Sequence, residues 1–366
     1  MTDAKPSWTP AGQNPPESPE LDTATAALAT SLNLPAGFDP VAQDAVLGPE
    51  VSTALARVEK QLRAAIAHSD PFADATSRHL VEAGGKRIRP LLTILAAQLG
   101  NGAVPDVVQA AVVVELTHLA TLYHDDVMDS APYRRGAPTA HEVWGNQVAI
   151  LAGDLIFARS SLLVSQLGPE AVGIQARTFE RLCLGQLHET VGPREDEDPV
   201  EHYLSVIADK TASLIATSGQ LGAMFSGAGE QAVNVMLEYG EKVGVAFQLA
   251  DDVIDVTGLK DKSGKTPGTD LREGVPTLPV LLLRKAAADG DASAASVLAL
   301  VEADLTSDEA LAEAVAALRA HPVTARAWSI AGEWADAAKA SLDPLPESTV
   351  KFALTAFAEA VVDREV

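Results

Sequence analysis

Six aspartates stand out by type and spacing. Asp125, Asp126 and Asp129 form one Asp-Asp-x-x-Asp set, and Asp251, Asp252 and Asp255 form another. On a helix the outer members of each set lie one turn apart on one face, with the middle one rotated by about 100°. Like charges at this spacing destabilise a helix by roughly 0.2–0.5 kcal/mol per pair. Each set ends an apolar run, Val112–Tyr123 in the first case and Val243–Ala250 in the second. Carboxylates at the end of a core helix are costly to bury without compensation. A hard cation removes that cost, and oxygen ligands with room for water and phosphate suit magnesium. One cluster alone reads as a solvated helix end or a cap. Two copies in the same local context read as a pair of magnesium clamps facing a substrate rich in phosphate oxygens.

The basic residues point the same way. Gly84-Gly85-Lys86-Arg87-Ile88-Arg89-Pro90 sets positive side chains beside flexible backbone, and Arg134 and Arg135 follow the first aspartate set. Lys210, with Thr211, and Lys265 add to them. Taken singly, each is an ordinary surface charge, and Arg87 is left in that class. As a set in a chain of net charge -23 they suggest two pockets for anions, one metal-bound and one purely basic.

The elements that must carry these residues are helical. The chain is 47% hydrophobic but only 4% aromatic, and Ala and Leu, both strong helix formers, are abundant. Residues 1–40 are rich in Pro, Ser, Thr and Asp and read as a disordered tail, with room for a short helix at 24–32. From residue 41 to 366 apolar residues recur at helical spacing, as expected of a single all-α catalytic domain. The pattern predicts helices at 48–68, 72–83, 88–99, 105–129, 137–145, 147–167, 170–191, 199–226, 230–256, 275–287, 293–302, 307–320, 322–341 and 347–363. No strand pattern is evident. Two glycine-rich loops, at 84–85 and 258–274, have the polar character of functional loops.

Composition also excludes. The acidic balance disfavours nucleic acid and anionic lipid as partners. The lone cysteine, Cys183, forms no intrachain disulfide and, in its apolar stretch, is expected to be buried. The run Val107–Tyr123 is broken by Glu115 and His118 and reads as a buried helix rather than a membrane span. The first residues lack a basic segment followed by an apolar run, so a cytoplasmic protein is expected.

With these residues in view, the chain resembles the trans-type polyprenyl diphosphate synthases. The resemblance rests on Gly84-Gly85-Lys86-Arg87-Ile88-Arg89-Pro90, His118, the first aspartate set, Arg134-Arg135-Gly136, Gly153-Asp154 and Lys210-Thr211. It continues through Gly244-x-Ala246-Phe247-Gln248-x-x-Asp251-Asp252-x-x-Asp255, Gly264-Lys265-x-x-Gly268-x-Asp270 and Thr277-Leu278-Pro279. It implies an isoprenoid-synthase-type helical bundle around a deep central cavity, usually a homodimer. It implies that Asp125 and Asp129 hold magnesium with Asp126 in support, and that Asp251 and Asp255 hold a third ion. By the same resemblance Arg134 contacts an allylic diphosphate, and Lys210, Thr211, Gln248 and Lys265 line its site. Lys86, Arg89, His118 and Arg135 would bind isopentenyl diphosphate. The implied reaction is departure of a magnesium-bound diphosphate, attack by the isopentenyl double bond on the allylic cation, and proton loss to the departing diphosphate. One departure from the family pattern is Gly185-Gln186-Leu187-His188-Glu189, where Gln and Glu are exchanged.

Residues just upstream of the first aspartates bear on product length. Ala120 and Thr121 are small where short-chain members carry aromatics, and Leu116 and Thr117 follow a turn deeper. The expectation is a long-chain all-trans product of about C35–C50, a quinone side-chain precursor, as in the actinobacterial long-chain members the chain resembles. Phe157, on a neighbouring helix, is the residue that could close such a pocket. The alternatives are a geranylgeranyl or farnesyl diphosphate synthase and, lower, a catalytically silent partner subunit. A terpene cyclase typically lacks the second aspartate set and the Gly-Gly-Lys segment, both of which occur here.

Overall fold

The computed structural model describes residues 37–258 and 267–363. The expected tail, its short helix and Lys265 lie outside the described residues. The chain runs through α1 (Asp39–Gln43), α2 (Leu47–Ile66), α3 (Pro71–Glu82), α4 (Ile88–Ala97) and α5 (Pro105–Met128). A two-residue hairpin, β1 (Tyr133–Arg134) and β2 (Ala137–Pro138), leads into α6 (Ala140–Trp144), α7 (Asn146–Ser165), α8 (Pro169–Val191) and α9 (Pro199–Ile207). A π-helical turn at Ala208–Ala212 joins α9 to α10 (Ser213–Phe225), followed by α11 (Glu230–Thr257) and α12 (Thr269–Arg272). The chain closes with α13 (Leu278–Ala288), α14 (Ala292–Val301), α15 (Asp308–Ala320), α16 (Pro322–Ser341) and α17 (Thr349–Val362).

Local signals explain many helix starts. Pro105, Pro169, Pro199 and Pro322 sit in the first turn of their helices, where a missing N–H costs nothing. Asp70, Asp198, Asp291, Ser307 and Ser348 cap their helices by accepting N–H bonds with the side chain. Long α5 is buried nearly all round, which identifies a central core helix. It packs against α4, α7 and α10, while α10 packs on α4 and α11, and α11 on α16. A second apolar cluster, including Val256, Leu271, Leu283 and Leu318, joins α13–α15 to the end of α11.

The fold is all-α as expected, with local differences, among them the short helices α1 and α12 where no helix was expected. The predicted helix at 137–145 starts only at Ala140, because Ala137 and Pro138 pair antiparallel with Arg134 and Tyr133. The predicted helix at 199–226 is interrupted by the π turn. The helix expected from 275 begins at Leu278, with Thr277 as its extended N-cap residue. Cys183 is exposed rather than buried, since its face of α8 points outward beside Leu184 and Leu187.

Candidate active site

The first aspartate set forms the end of α5. Asp125 and Asp126 lie in its last turn, and Asp129 is the C-cap residue, its N–H bonded to the Asp125 carbonyl. Asp129 lines a cavity of about 1090 Å³ together with Lys210, Thr211, Gln248 and Asp252, so the two motifs share one space. Burial pushes the Asp125 carboxyl up to about 6; Lys210 counters this and Asp129 adds to it. Asp126 faces inward with no exposed surface, and one of its oxygens is bonded by Arg134. Its other oxygen has no hydrogen-bond partner, and burial raises its pKa.

The second set occupies the end of α11. Asp251 and Asp255 are partly exposed, whereas Asp252 is only 7% exposed. Asp252 accepts from the Tyr203 hydroxyl and, at 2.8 Å, from the Gln248 side-chain nitrogen. Burial pushes it up to about 6 in spite of these bonds. Asp255 accepts the Asp270 N–H at 3.1 Å, and its carbonyl accepts from Gly268 at 2.8 Å, which docks α12 against α11.

Between the motifs stands the π turn carrying Lys210 and Thr211. A π turn places one extra residue in a helix and re-aims the side chains around it, often at functional sites. Here it is gripped by two glycines. A Cβ on Gly185 of α8 would lie 2.7 Å from the Lys210 nitrogen, and one on Gly244 of α11 would lie 2.6 Å from the Ala212 Cα. Only glycine at both positions lets three backbones approach so closely. Lys210 donates to Glu189, and Thr211 donates to the Gln248 side-chain oxygen at 3.1 Å. Gln186, the exchanged residue, lines the cavity with a buried side-chain oxygen that has no partner.

The basic residues collect beside the end of α5. His118 is held well below its usual 6.5, first by burial and then by Arg89, Arg135, Arg134 and Arg87. Arg89 is pushed down to about 10 by burial, with Arg135 adding to the shift and Glu115 opposing it, and its Nε is buried without a partner. Arg135 donates to the Leu80 carbonyl at 3.3 Å and also to the Gly84 carbonyl. Lys86 is exposed at the rim. Arg135 has φ 54 and Gly136 φ 79, the pair of positive values that a tight hairpin turn of this kind requires. A non-glycine residue held in this region is strained, a feature that clusters at ligand sites.

Arg87 is not a surface charge. It also has a left-handed backbone, φ 50, and its guanidinium points inward. It donates to Glu59 at 3.1 Å and to Glu115 at 2.9 Å, with a weaker bond to the Val81 carbonyl at 3.3 Å. Glu115, 2% exposed, is thus the buried counter-charge of the cluster. Four arginines around one neutral histidine and one committed carboxylate make an environment suited to an added anion. The Arg87–Glu115 pair was hinted at only by a charged residue inside an apolar run.

Residues upstream of the aspartates divide. Thr121 is partly exposed, with its hydroxyl bonded to the His118 carbonyl at 2.9 Å. Ala120, expected to border an open pocket, has no exposed surface and packs into the main core. One residue along a helix is a rotation of about 100°, enough to move a side chain from a wall to the interior. Phe157 of α7 stacks on Phe179 of α8, ring centroids 3.9 Å apart.

The carboxylate donors fit a hard divalent cation. They are oxygen-only, and Asp125 and Asp252 carry raised pKa values that a nearby cation would offset. Among the described residues no three potential ligands converge into a ready-made cage. Magnesium characteristically completes its shell with water and substrate phosphates rather than with protein alone.

Comparison with known proteins agrees with this geometry. The chain is 47% identical to the nonaprenyl diphosphate synthase of Mycobacterium tuberculosis over 88% of this chain and 95% of that protein. A crystal structure of geranylgeranyl pyrophosphate synthase from Corynebacterium glutamicum, complexed with calcium and isoprenyl diphosphate, superposes with TM-score 0.78 at 42% identity, covering 88% of this chain and 98% of that one. A decaprenyl diphosphate synthase from Rhodobacter capsulatus superposes with TM-score 0.78 at 34% identity, covering 89% and 99%. Residues 70–318 match the polyprenyl synthetase family, and the chain belongs to that family.

Proposed function

We propose that the protein is a magnesium-dependent trans-prenyltransferase that condenses isopentenyl diphosphate with an allylic diphosphate into a long-chain all-trans polyprenyl diphosphate of about C35–C50. The observation that carries this reading is the pair of unlike anion sites at one helix end. One is the aspartate-lined cavity and the other the cluster of arginines around His118, none of which lines that cavity, with Arg134 bonded to Asp126 of the first aspartate set. A single-substrate enzyme has no use for the second site.

Asp125, Asp129, Asp251 and Asp255 would hold magnesium, three ions when substrate is bound, and the metal would neutralise charge developing on the departing diphosphate. Lys210, Thr211, Gln248 and Arg134 orient the allylic diphosphate, with Lys265 completing the set. Preorganised cations of this kind act where charge develops and need little reorganisation. Lys86, Arg89 and Arg135 hold isopentenyl diphosphate, and His118, kept neutral by its surroundings, offers a hydrogen bond rather than a charge. The departing diphosphate takes the proton, so the protein needs no general base.

The long-chain reading is supported by Thr121 and by the mycobacterial nonaprenyl relative. The product would serve as a quinone side-chain precursor, menaquinone in particular. The geranylgeranyl pyrophosphate synthase neighbour keeps a short-chain product as the second reading. A silent subunit is disfavoured because all six aspartates are present. We further propose a cytoplasmic homodimer built from residues 41–366. Helix α7 is long and apolar enough to cross a membrane, and Ile150, Leu151 and Leu162 are exposed on it, a face suited to a second copy. Helix α5 is also long and apolar enough but is buried within the protein.

The deciding experiment is incubation with labelled isopentenyl diphosphate, magnesium and each allylic primer, followed by sizing of the products. A ladder ending near C35–C50 is expected. Termination at C15 or C20 would select the short-chain reading, and no turnover with any primer would sink the proposal.

A further inference from the structure

Some groups around the cavity have no part in the proposed reaction. Tyr203 is one. It stands on α9, lines the cavity, and donates its hydroxyl to one oxygen of Asp252. The other Asp252 oxygen accepts from Gln248, whose own oxygen accepts from Thr211. Thr211 lies on the same stretch of chain as Tyr203, eight residues further on, within the π turn. The bonds therefore close a ring: Tyr203 to Asp252, Asp252 to Gln248, Gln248 to Thr211, and back along the chain through Lys210's neighbourhood.

Closure of this ring has two geometric consequences. It braces the π turn, whose backbone has an irregular repeat and leans on two glycines. It also fixes the rotation of the last turns of α11. At about 100° per residue, Asp251 and Asp255 lie on one common side of Asp252, roughly 100° and 60° round the axis. Pinning Asp252 to α9 sets the direction in which those two carboxylates point. Both Asp252 oxygens are already engaged by protein donors.

We propose that Tyr203 is a positioning residue of the reaction: acting through Asp252 and Gln248, it holds the Lys210–Thr211 turn and the Asp251/Asp255 face in register on the departing diphosphate. The assignment rests on the function proposed above. Misplacing catalytic groups by about 1 Å can cost on the order of 100-fold in rate. Loss of the hydroxyl alone should therefore lower kcat and weaken diphosphate binding while leaving the isopentenyl site, whose Arg89, His118 and Arg135 do not line this cavity, untouched.

The test is Tyr203→Phe, which keeps the ring and its packing. Three quantities are read: kcat, KM for isopentenyl diphosphate, and calorimetric binding of inorganic pyrophosphate with magnesium, which needs no turnover. The expected result is a kcat lowered roughly 10- to 100-fold, an unchanged KM for isopentenyl diphosphate, and weaker pyrophosphate binding in a protein that is still fully folded at the assay temperature. Asp252→Asn supplies the second variant. If Tyr203 acts through Asp252, adding Tyr203→Phe to Asp252→Asn produces little further loss, because coupled residues are not additive. Wild-type kcat and pyrophosphate affinity in Tyr203→Phe would overturn the assignment alone, as would full additivity in the double variant. A wild-type protein that neither turns over nor binds pyrophosphate with magnesium would overturn the proposed function and this assignment with it.

Discussion

Asp125 should make the metal-free protein less stable, and the size of the effect follows from its surroundings. Burial raises its carboxyl from the usual 3.8 to about 6. Because the folded-state value lies above the unfolded one, the stabilisation is complete below pH 3.8 and is lost as pH rises through about 6. At 1.36 kcal/mol per pKa unit, ionising Asp125 in the folded protein costs about 3 kcal/mol at neutral pH, an upper value because the side chain keeps some solvent contact. Asp125→Asn carries no charge to ionise. Without magnesium, the variant should be more stable than wild type by about 1–3 kcal/mol at pH 7.5. The gap should narrow steadily toward pH 5. Urea unfolding at half-unit pH steps measures this directly. Adding magnesium and inorganic pyrophosphate should stabilise wild type more than the variant and so close or reverse the gap. A difference that is independent of pH, or a less stable variant at every pH, would refute the reasoning that buried carboxylates are held apart for a cation.

Other perturbations test the remaining parts. Arg87→Ala removes the hydrogen-bonded partner of the buried Glu115 carboxylate, which keeps only the longer-range charges of Arg89 and Arg135, so unfolding free energy should fall by up to about 3–5 kcal/mol, and KM for isopentenyl diphosphate should rise as the loop carrying Lys86 and Arg89 loses its anchor. Gly244→Ala drives a methyl group into the Ala212 backbone 2.6 Å away. Denaturant titration should show a loss of about 1–3 kcal/mol, with kcat falling further than stability alone explains. Thr121→Phe, at a partly exposed position, should shorten the products seen by chromatography without large destabilisation. Ala120→Phe enters a filled core and should lower the melting temperature instead; wild-type stability in that variant would show that an open space exists beside it.

Much of the helical framework was legible because its signals are local. Prolines in first turns and Asp or Ser caps mark helix starts within a few residues of sequence, and apolar periodicity marks the buried faces. The six aspartates and the basic segments were equally plain, since unusual charge spacing beside apolar runs needs no tertiary context to be noticed. What escaped depended on packing. The π turn arises where Gly185 and Gly244 allow neighbouring helices to press on it. The hairpin at 133–138 carries Arg134 and Arg135, and two residues per strand leave no periodicity to read.

Sequence by itself determined an all-helical chain with two sets of carboxylates and a set of cations, because propensity, capping and spacing are encoded over a few residues. Tertiary structure alone decided what each charge is for. Arg87 meets Glu59 and Glu115, each 28 residues away, only once α2, α4 and α5 are packed, and that contact makes it a buried anchor rather than a surface charge. Asp126 meets Arg134, and Asp252 meets Tyr203, for the same reason. Identical carboxylates in identical motifs acquire different roles because burial and the nearest donor are properties of the packed fold.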